Sequence, residues 1–405
     1  MPREIVELRG HLIDSLILPK VLDAIMAHGA HFEIQQVEVG VRPQDPSFAR
    51  ILITHSDPRK LETVLRVVAR QGAEPVERRE ASLKPAPRDG VLPPDFYATT
   101  NLETAIYLDK RWVRVRDPEM DSAIRVAPSR RAAETVKMAH VRKGDLIVVG
   151  HRGVRVVPVE SRRAPEDFEF MTSEVSTEKP KGVLIRRIAA MMKAERAAER
   201  PILWVCGPAV VHSGAAPLLE KLVEAGYVQI LFAGNALAAH DIECALFGTS
   251  LGVSMREGAS APSGHENHLR AINAIRAAGG IRQAVRKGLL TRGILAACIR
   301  RKVDVVLAGS IRDDGPLPEV ITDTLRAQDA MRRRSRRVRL ALFVATLLHS
   351  VATGNMLPAA TRVVCADIQP AAVTKLLDRG TFQTIGLVTD VQPFLRELLL
   401  ELKVG

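Results

Sequence analysis

The stretch PILWVCGPAVVHSGAA, residues 201–216, contains an apolar run without alternation that ends at Gly207-Pro208, followed by a segment of small residues typical of a helix. Runs of the same kind recur five more times, with helical segments between them: YVQILFAGN (227–235), VDVVLAGS (303–310), RLALFVAT (339–346), TRVVCAD (361–367) and FQTIGLVTD (382–390). Strands that are apolar on both faces and alternate with helices indicate a parallel sheet covered on both sides. Residues 183–405 are therefore predicted to form a doubly wound α/β domain with six parallel strands.

The residues before this domain have a different pattern. Residues 1–80 alternate short strand-like runs with two amphipathic helical segments, in an order that resembles a small α+β unit of the ferredoxin-like or ACT-like kind. Residues 81–90, ASLKPAPRDG, are predicted to be a proline-rich linker. Short strands divided by turns predict a β-rich insert at 91–160, and the polar segment 161–182 is predicted to be a loop that connects to the second half.

Composition narrows the class of partner. The formal net charge is +12, but aromatic residues are only 4% of the chain, which leaves little for stacking on nucleic-acid bases. The arginine run at 332–337 could bind phosphate or could simply be a solvated helix end, and a basic protein also suits an anionic cofactor or substrate. We expect no nucleic-acid partner, no membrane contact and a cytoplasmic protein.

The reactive residue types give no strong motif. The four cysteines form no C-x-x-C pair, and most lie in apolar stretches typical of core positions. His265 and His268 are spaced H-x-x-H without an evident third ligand, so we predict no metal site.

In a doubly wound sheet the ligand lies beyond the carboxyl ends of the strands. The residues at those ends are the candidates for cofactor binding: Gly207, Asn235, Ala236, Asp313, Thr346, Leu347, Leu348, His349, Asp367, Asp390 and Val391. The G-x-G-x-x-G fingerprint and the P-loop motif are both absent. CGPAVVHSGAA (206–216) is a looser version, with a helix predicted to begin near Ser213; it could face a pyrophosphate, or it could be an ordinary strand-to-helix turn.

Asp367 is the most specific of these candidates. It ends the strand in VVCADIQPAAVTKL (363–376), directly before a helix that Pro370 is predicted to open. An acid in that position can accept two hydrogen bonds from a ribose diol, and it can also cap the next helix. We favour the ribose interpretation.

Six longer motifs resemble one known family. They are ELRGHLIDSLILPKVLD (7–23), GPAVVHSGAA (207–216), AGNALAAHDIE (233–243), GTSLGV (248–253), AGSIRDDGPLPEVITDT (308–324) and LLHSVATGNMLP (347–358). Together they resemble the archaeal ornithine cyclodeaminases, a domain also found as the C-terminal half of cyanobacterial arginine dihydrolase–ornithine cyclodeaminase fusions and linked to the LOR/SDH region family. The resemblance implies a Rossmann-like catalytic domain with bound NAD. It also implies conversion of L-ornithine to L-proline with loss of ammonia, in which hydride leaves the α-carbon and returns to a cyclic imine.

This chemistry needs groups that hold a charged amino acid and move protons between two nitrogens. On the resemblance we assign Asp313 to NAD, Asp314 to the substrate nitrogen, and Arg312 to the α-carboxylate as a bidentate fork. Lys179 is a second candidate for proton transfer. The alternative for Arg312 is an ion pair with a neighbouring Asp that only fixes the turn.

Two other functions remain open from the residues alone. The protein could be an NAD-dependent dehydrogenase of a lysine- or saccharopine-type amino acid, or a non-catalytic regulator that senses amino acids. Ornithine and lysine differ by one methylene, which changes binding by only about 1–3 kcal/mol in a pocket. The oligomeric state is open, with a closed homo-oligomer as the usual expectation.

Overall fold

The computed structural model describes residues 2–13, 16–40, 45–69, 71–77, 79–120, 122–157, 174–175, 181–255, 267–313, 315–379 and 384–404. The chain divides into two compact units, Met1–Phe170 and Met171–Gly405.

The first unit begins with a four-stranded antiparallel sheet. Its elements are β1 (Arg3–Gly10), α1 (Ile17–Ala27), β2 (His31–Glu38), β3 (Ser47–Thr54), α2 (Pro58–Ala69) and β4 (Glu74–Pro75). The strands lie in the order β2-β3-β1-β4, and alternate residues of β3, such as Ile51 and Ile53, pack against Val21 and Val64 of the helices. This β-α-β-β-α-β order is the one that ferredoxin-like units have.

A seven-stranded sheet forms the rest of this unit. Its elements are β5 (Ser82–Pro85), β6 (Glu103–Leu108), β7 (Arg111–Arg116), β8 (Ala123–Val126), β9 (Ala133–Val136), a single 3₁₀ turn at Met138–His140, β10 (Leu146–Val149) and β11 (Val154–Val157). The strand order is β11-β6-β7-β9-β8-β10-β5, so the predicted β-rich segment is present. The expected linker is not: residues 82–85 of the proline-rich stretch pair with β10. Proline is tolerated there because β5 is an edge strand.

The second unit is a parallel sheet wrapped by helices. Its elements are β12 (Glu174–Val175), α3 (Lys181–Ala197), β13 (Ile202–Cys206), α4 (Ala209–His212), α5 (Ala216–Glu224), β14 (Ile230–Gly234), α6 (Asn235–Phe247), β15 (Thr249–Ser250), β16 (Val253–Ser254), α7 (Asn267–Ala278), α8 (Ile281–Arg286), α9 (Ile294–Arg300), β17 (Asp304–Ala308), α10 (Thr324–Ser335), β18 (Leu340–Val344), α11 (Leu347–Met356), β19 (Arg362–Asp367), α12 (Pro370–Arg379), β20 (Thr384–Val388) and α13 (Val391–Leu402).

The sheet order is β12-β20-β19-β18-β13-β14-β17, and every pair in it is parallel. The six predicted strands are all present. The structure adds β12, a two-residue edge strand inside the segment that we expected to be only a loop. A strand of that length has no periodicity from which it could be predicted.

Both faces of the sheet are covered. On β13, Trp204 and Cys206 belong to the core formed with α3, α5, α6, α9 and α13. Leu203 and Val205 belong to the core formed with α10, α11 and α12. Both sets of side chains are buried, which explains why the sequence of this strand shows no alternation.

Two arginines of the run at 332–337 form ion pairs at the end of α10. Arg332 contacts Asp329 at 2.8 Å, and Arg334 contacts Asp304 at 2.7 Å. These contacts match the helix-end interpretation of the run. Among the helices that the structure describes, none is long and apolar enough to cross a membrane.

Candidate functional site

The strand order places a topological switch point between β13 and β18. Leaving out β12, the order β17-β14-β13-β18-β19-β20 is the 3-2-1-4-5-6 order of the doubly wound dinucleotide-binding fold. Successive connections leave β13 and β18 on opposite faces of the sheet, which opens a crevice beyond their carboxyl ends. The structure therefore puts Gly207 and Thr346, which follow β13 and β18, at the location where such sheets bind ligands, while Asp367 and Asp390 lie at the ends of β19 and β20, one and two strands further along the same edge.

Gly207 lies at this switch point, where two chain segments cross. A Cβ on Gly207 would lie 1.9 Å from the backbone oxygen of Ala345 and 2.9 Å from Cβ of Thr346. Its N–H donates to the carbonyl of Val344 at 3.0 Å. The sequence made Gly207 a candidate for cofactor binding; in the structure a side chain at this position is excluded by the neighbouring segment at Ala345 and Thr346.

The helix predicted near Ser213 begins elsewhere. Helix α4 starts at Ala209 and α5 at Ala216, so Ser213 follows the first helix instead of opening one. The sequence misled because the small residues Ser213, Gly214 and Ala215 form the break between two short helices.

Three strand ends converge around His349. Its Nε2 lies 3.5 Å from the position of a Cβ on Gly234, at the end of β14. Since β14 and β18 flank β13 on opposite sides, His349 reaches across the end of β13. Burial lowers the pKa of His349, and the carboxylate of Asp313, beyond β17, opposes that shift. The imidazole is therefore neutral at physiological pH, and its buried Nδ1 has no hydrogen-bond partner among the described residues.

Asn235 fixes the loop that carries Asp313. Asn235 is buried at the first position of α6, and its Oδ1 accepts a hydrogen bond from the N–H of Leu317 at 3.0 Å. The adjacent Ala236 is exposed. Asn235 therefore has a clear structural role, and of this pair Ala236 offers the more accessible surface.

The loop after β17 is partly described. Asp313 is half-buried, and its Oδ2 accepts a hydrogen bond from the N–H of Ser310 at 2.8 Å. The side chain of Arg312 is exposed. Asp314 and Lys179, the two proton-transfer candidates, lie outside the described residues, as does His265.

The segment after β18 opens α11. Thr346 occupies the N-cap position, and Leu347 and Leu348 are 41% and 77% exposed. Ala345, just before them, has φ +51°, a left-handed conformation that turns the chain sharply at the switch point. Exposed apolar side chains beside a neutral histidine could cover a flat ring system.

The two strand-end acids both cap helices or turns. Oδ1 of Asp367 accepts from the N–H of Gln369 at 2.9 Å, and Oδ1 of Asp390 accepts from the N–H of Gln392 at 3.2 Å. Asp367 thus makes a capping hydrogen bond, the alternative to ribose binding, but a carboxylate can accept further hydrogen bonds. Val391 is buried in the core, so only its backbone could contact a ligand.

A pair of histidines on α4 and α6, the helices that follow β13 and β14, was not predicted from the sequence. The ring centroids of His212 and His240 are 4.7 Å apart, and Nδ1 of His240 is 2.9 Å from Oε2 of the fully buried Glu243. Thr249 and the N–H of Gly252 also donate to Glu243. The spacing of His240 and Glu243 on one helix face was the only signal in the sequence. Within the described ranges no group of three or more His, Cys, Asp or Glu side chains could hold a metal ion.

Family comparisons cover almost the whole chain. Residues 3–102 match the family described as the LOR/SDH bifunctional enzyme conserved region. Residues 103–185 match the ArgZ-like arginine dihydrolase family, C-terminal, first region. Residues 186–398 match the C-terminal Rossmann fold of the same family.

Individual proteins are also similar to this chain over nearly its whole length. The chain is 53% identical to an ornithine cyclodeaminase of Methanopyrus kandleri, over 99% of this chain and 97% of that protein. It is 36% identical to the bifunctional arginine dihydrolase/ornithine cyclodeaminase AgrE of Nostoc, of which it covers 58%.

Solved structures agree in fold. An LOR/SDH protein from Methanococcus maripaludis matches with a TM-score of 0.75 at 50% identity, over 80% of this chain and 98% of that one. The ternary complex of AgrE with ornithine and NAD⁺ matches with a TM-score of 0.54 at 34% identity, over 99% of this chain and 57% of that one. The chain belongs to the archaeal ornithine cyclodeaminase family, to which the C-terminal part of the cyanobacterial bifunctional proteins is related.

Proposed function

We propose that this protein is an NAD-dependent ornithine cyclodeaminase that converts L-ornithine to L-proline and ammonia and regenerates NAD within each turnover. The observation that carries the proposal is identity of 53% to an ornithine cyclodeaminase over 99% of the chain. The convergence of Gly234, Asp313 and His349 at the carboxyl edge beside the switch point supports it, because this is the edge at which a doubly wound sheet accepts a dinucleotide.

The residues at the crevice fit NAD. The buried Nδ1 of His349 is a polar atom without a described partner, and a ligand group can supply one. Exposed Leu347, Leu348 and Ala236 could contact rings, and Asp367 and Asp390 could accept from ribose hydroxyls. When bound, NAD would supply a hydride acceptor that can also return the hydride.

The chain's own groups would then position the amino acid and move its protons. A neutral His349 can accept a hydrogen bond or a proton, and the half-buried Asp313 can pair with a cation close to it. Asp314 and Lys179 remain our candidates for proton transfer, and Arg312 for the α-carboxylate. Closure of the crevice around the substrate would protect an imine from water.

Incubation of the protein with L-ornithine and a small amount of NAD tests the proposal. We expect proline and ammonia in equal amounts, far beyond the amount of NAD added, and no net gain in NADH absorbance. Net NADH with a lysine-type substrate would instead show a dehydrogenase. Tight amino-acid binding without turnover would show a regulator.

A further inference from the structure

Strand β2 (His31–Glu38) is an uncovered edge of the four-stranded sheet. Among the residues that the structure describes its one strand neighbour is β3, and every residue of β2 except Phe32 is exposed, including Ile34 at 42% and Val37 at 43%. An eight-residue edge with free backbone groups and exposed apolar side chains is a template for pairing with another strand. The opposite edge, β4, is only two residues long.

A bulge at Gln35 divides β2 into two halves. The register with β3 runs through Ile34↔Ile51 and resumes at Gln36↔Arg50. Phe32 and Ile34 before the bulge pair with residues whose side chains point into the core, and so does Val37 after it. The apolar face of the strand therefore changes from even to odd residue numbers at the bulge.

Because the core-facing residues are even-numbered before the bulge and odd-numbered after it, the strand can pair in antiparallel fashion with a second copy of itself. A two-fold axis between Ile34 and Gln35 sets His31 opposite Glu38 of the second copy, Phe32 opposite Val37, and Glu33 opposite Gln36. Each of these three pairs then lies on one face of the joined sheet, because each combines one residue from before the bulge with one from after it.

Charge selects this register over its neighbour. With the axis between Ile34 and Gln35, the strand ends bring a histidine against an acid, a favourable cross-strand pair when the imidazole is protonated. Moving the axis by one residue toward the C-terminus sets Glu33 opposite Glu38 of the second copy, and like charges in direct opposition are unfavourable.

We propose that β2 is a self-association surface on which two copies of this chain join their sheets, antiparallel, about the Ile34–Gln35 centre. One strand per copy buries less than the roughly 1,200 Å² typical of stable interfaces, so association at this surface is concentration-dependent. The proposal is independent of the reaction that the second unit performs.

Light scattering and sedimentation of the full chain over a range of concentrations test the surface. We expect association to at least twice the 44.3 kDa of one chain. Val37→Lys should weaken this step by about tenfold or more, since it buries an ammonium against Phe32 of the second copy. Val76→Lys is the matched control, because Val76 is 45% exposed and lies next to the other sheet edge. A chain that stays monomeric, or association that both variants leave unchanged, would overturn the proposal.

Charge exchange and disulfide trapping test the register. His31→Glu should weaken association, and adding Glu38→Lys should restore it. The double variant His31→Cys, Glu38→Cys should join two copies under mild oxidation. The double variant Glu33→Cys, Glu38→Cys should not, because those positions face each other only in the shifted register. The two thiols of the first variant cannot pair within one chain, since seven residues of strand span about 23 Å. Crosslinking of the second variant alone would refute the register.

Discussion

The imidazole Nε2 of His349 lies 3.5 Å from the position that a Cβ would occupy on Gly234. Gly234 is the last residue of β14 and His349 lies in the helix after β18, and these two strands do not touch, because β13 separates them. A side chain from α11 therefore spans the carboxyl end of the central strand and defines one wall of the crevice.

The first prediction concerns this contact. A methyl group at 3.5 Å is in ordinary van der Waals contact, and Gly234 has φ −94°, so Gly234→Ala should fold normally. Gly234→Leu should place branched carbons in the crevice and weaken NAD binding by about tenfold or more. Calorimetry with NAD and thermal melting of both variants separate these effects. If a folded Gly234→Leu protein binds NAD with unchanged affinity, the cofactor does not bind against this wall.

The second prediction concerns the pH dependence of stability. Burial lowers the pKa of His349, so the folded state binds this proton less tightly than the unfolded state does. The free energy of unfolding should therefore fall as pH drops through about 6.5, and His349→Gln should reduce that fall. Urea unfolding of the parent and the variant between about pH 7 and pH 5 measures this change in the free energy of unfolding. An equal fall in the parent and in His349→Gln would show that the pH dependence arises at another group.

The third prediction concerns Asp241, a buried acid that caps another helix. Its two oxygens accept from the N–H groups of Ile294 and Leu295, both at 2.9 Å. Burial raises its pKa to about 7. A raised pKa means that the folded state gains stability when Asp241 is protonated, and loses it as pH rises from about 4 to about 7, by up to about 4 kcal/mol.

Asp241→Asn should flatten this part of the stability profile. It keeps one oxygen acceptor but places an amide against one donor, so its stability at low pH should be lower than that of the parent. The position has no room for a larger group, since a Cβ on Gly293 would already lie 3.0 Å from the carboxylate, where Gly293 has φ +100°. If the free energy of unfolding of the unmutated protein does not fall between about pH 4 and about pH 7, Asp241 stays ionised over that range.

The fourth prediction concerns Asp367. If its carboxylate holds a ribose, Asp367→Ala should weaken NAD binding by about 1–3 kcal/mol, and the parent should accept NADP poorly. Asp323→Ala is the matched control, because Asp323 caps α10 through Arg326 at 2.9 Å just as Asp367 bonds Gln369. Both variants should lose similar stability, and only the first should lose NAD affinity. Equal affinity of the parent for NAD and NADP would argue for capping alone.

The fifth prediction concerns the loop after β17. Asp314→Asn should lower proline formation by about 10²–10⁴-fold if Asp314 moves a proton or holds an ammonium. NAD affinity should barely change. Asp313→Asn is the comparison: its amide oxygen can still accept from Ser310, but its charge beside His349 is lost, so NAD affinity should fall instead. Near-normal proline formation in Asp314→Asn would mean that Asp314 takes no part in the reaction and that the charged residues of the loop only stabilise its turn.

The sheet of the second unit could be predicted because its strands are buried on both faces, and strands of this kind appear in the sequence as uninterrupted apolar runs. Strands β5 and β12 could not, because a proline-containing edge strand and a two-residue strand leave no periodic pattern. The strand ends were found because parallel strands share one carboxyl edge. The closeness of His349 to Gly234 depends on the order of the strands in the sheet, and no local stretch of sequence contains that order.

The two tryptophans of the chain lie in different units. Trp204 is fully buried in β13, and its Nε1–H donates to the carbonyl of Tyr227 at 3.0 Å. Trp112 in β7 is half-buried, with the guanidinium of Arg155 4.3 Å from its ring centroid. The chain therefore contains its own pair of optical reporters. With excitation selective for tryptophan, Trp112→Phe leaves emission that follows the unfolding of the parallel sheet, and Trp204→Phe leaves emission that follows the first unit, so the order in which the units unfold can be measured without any added label.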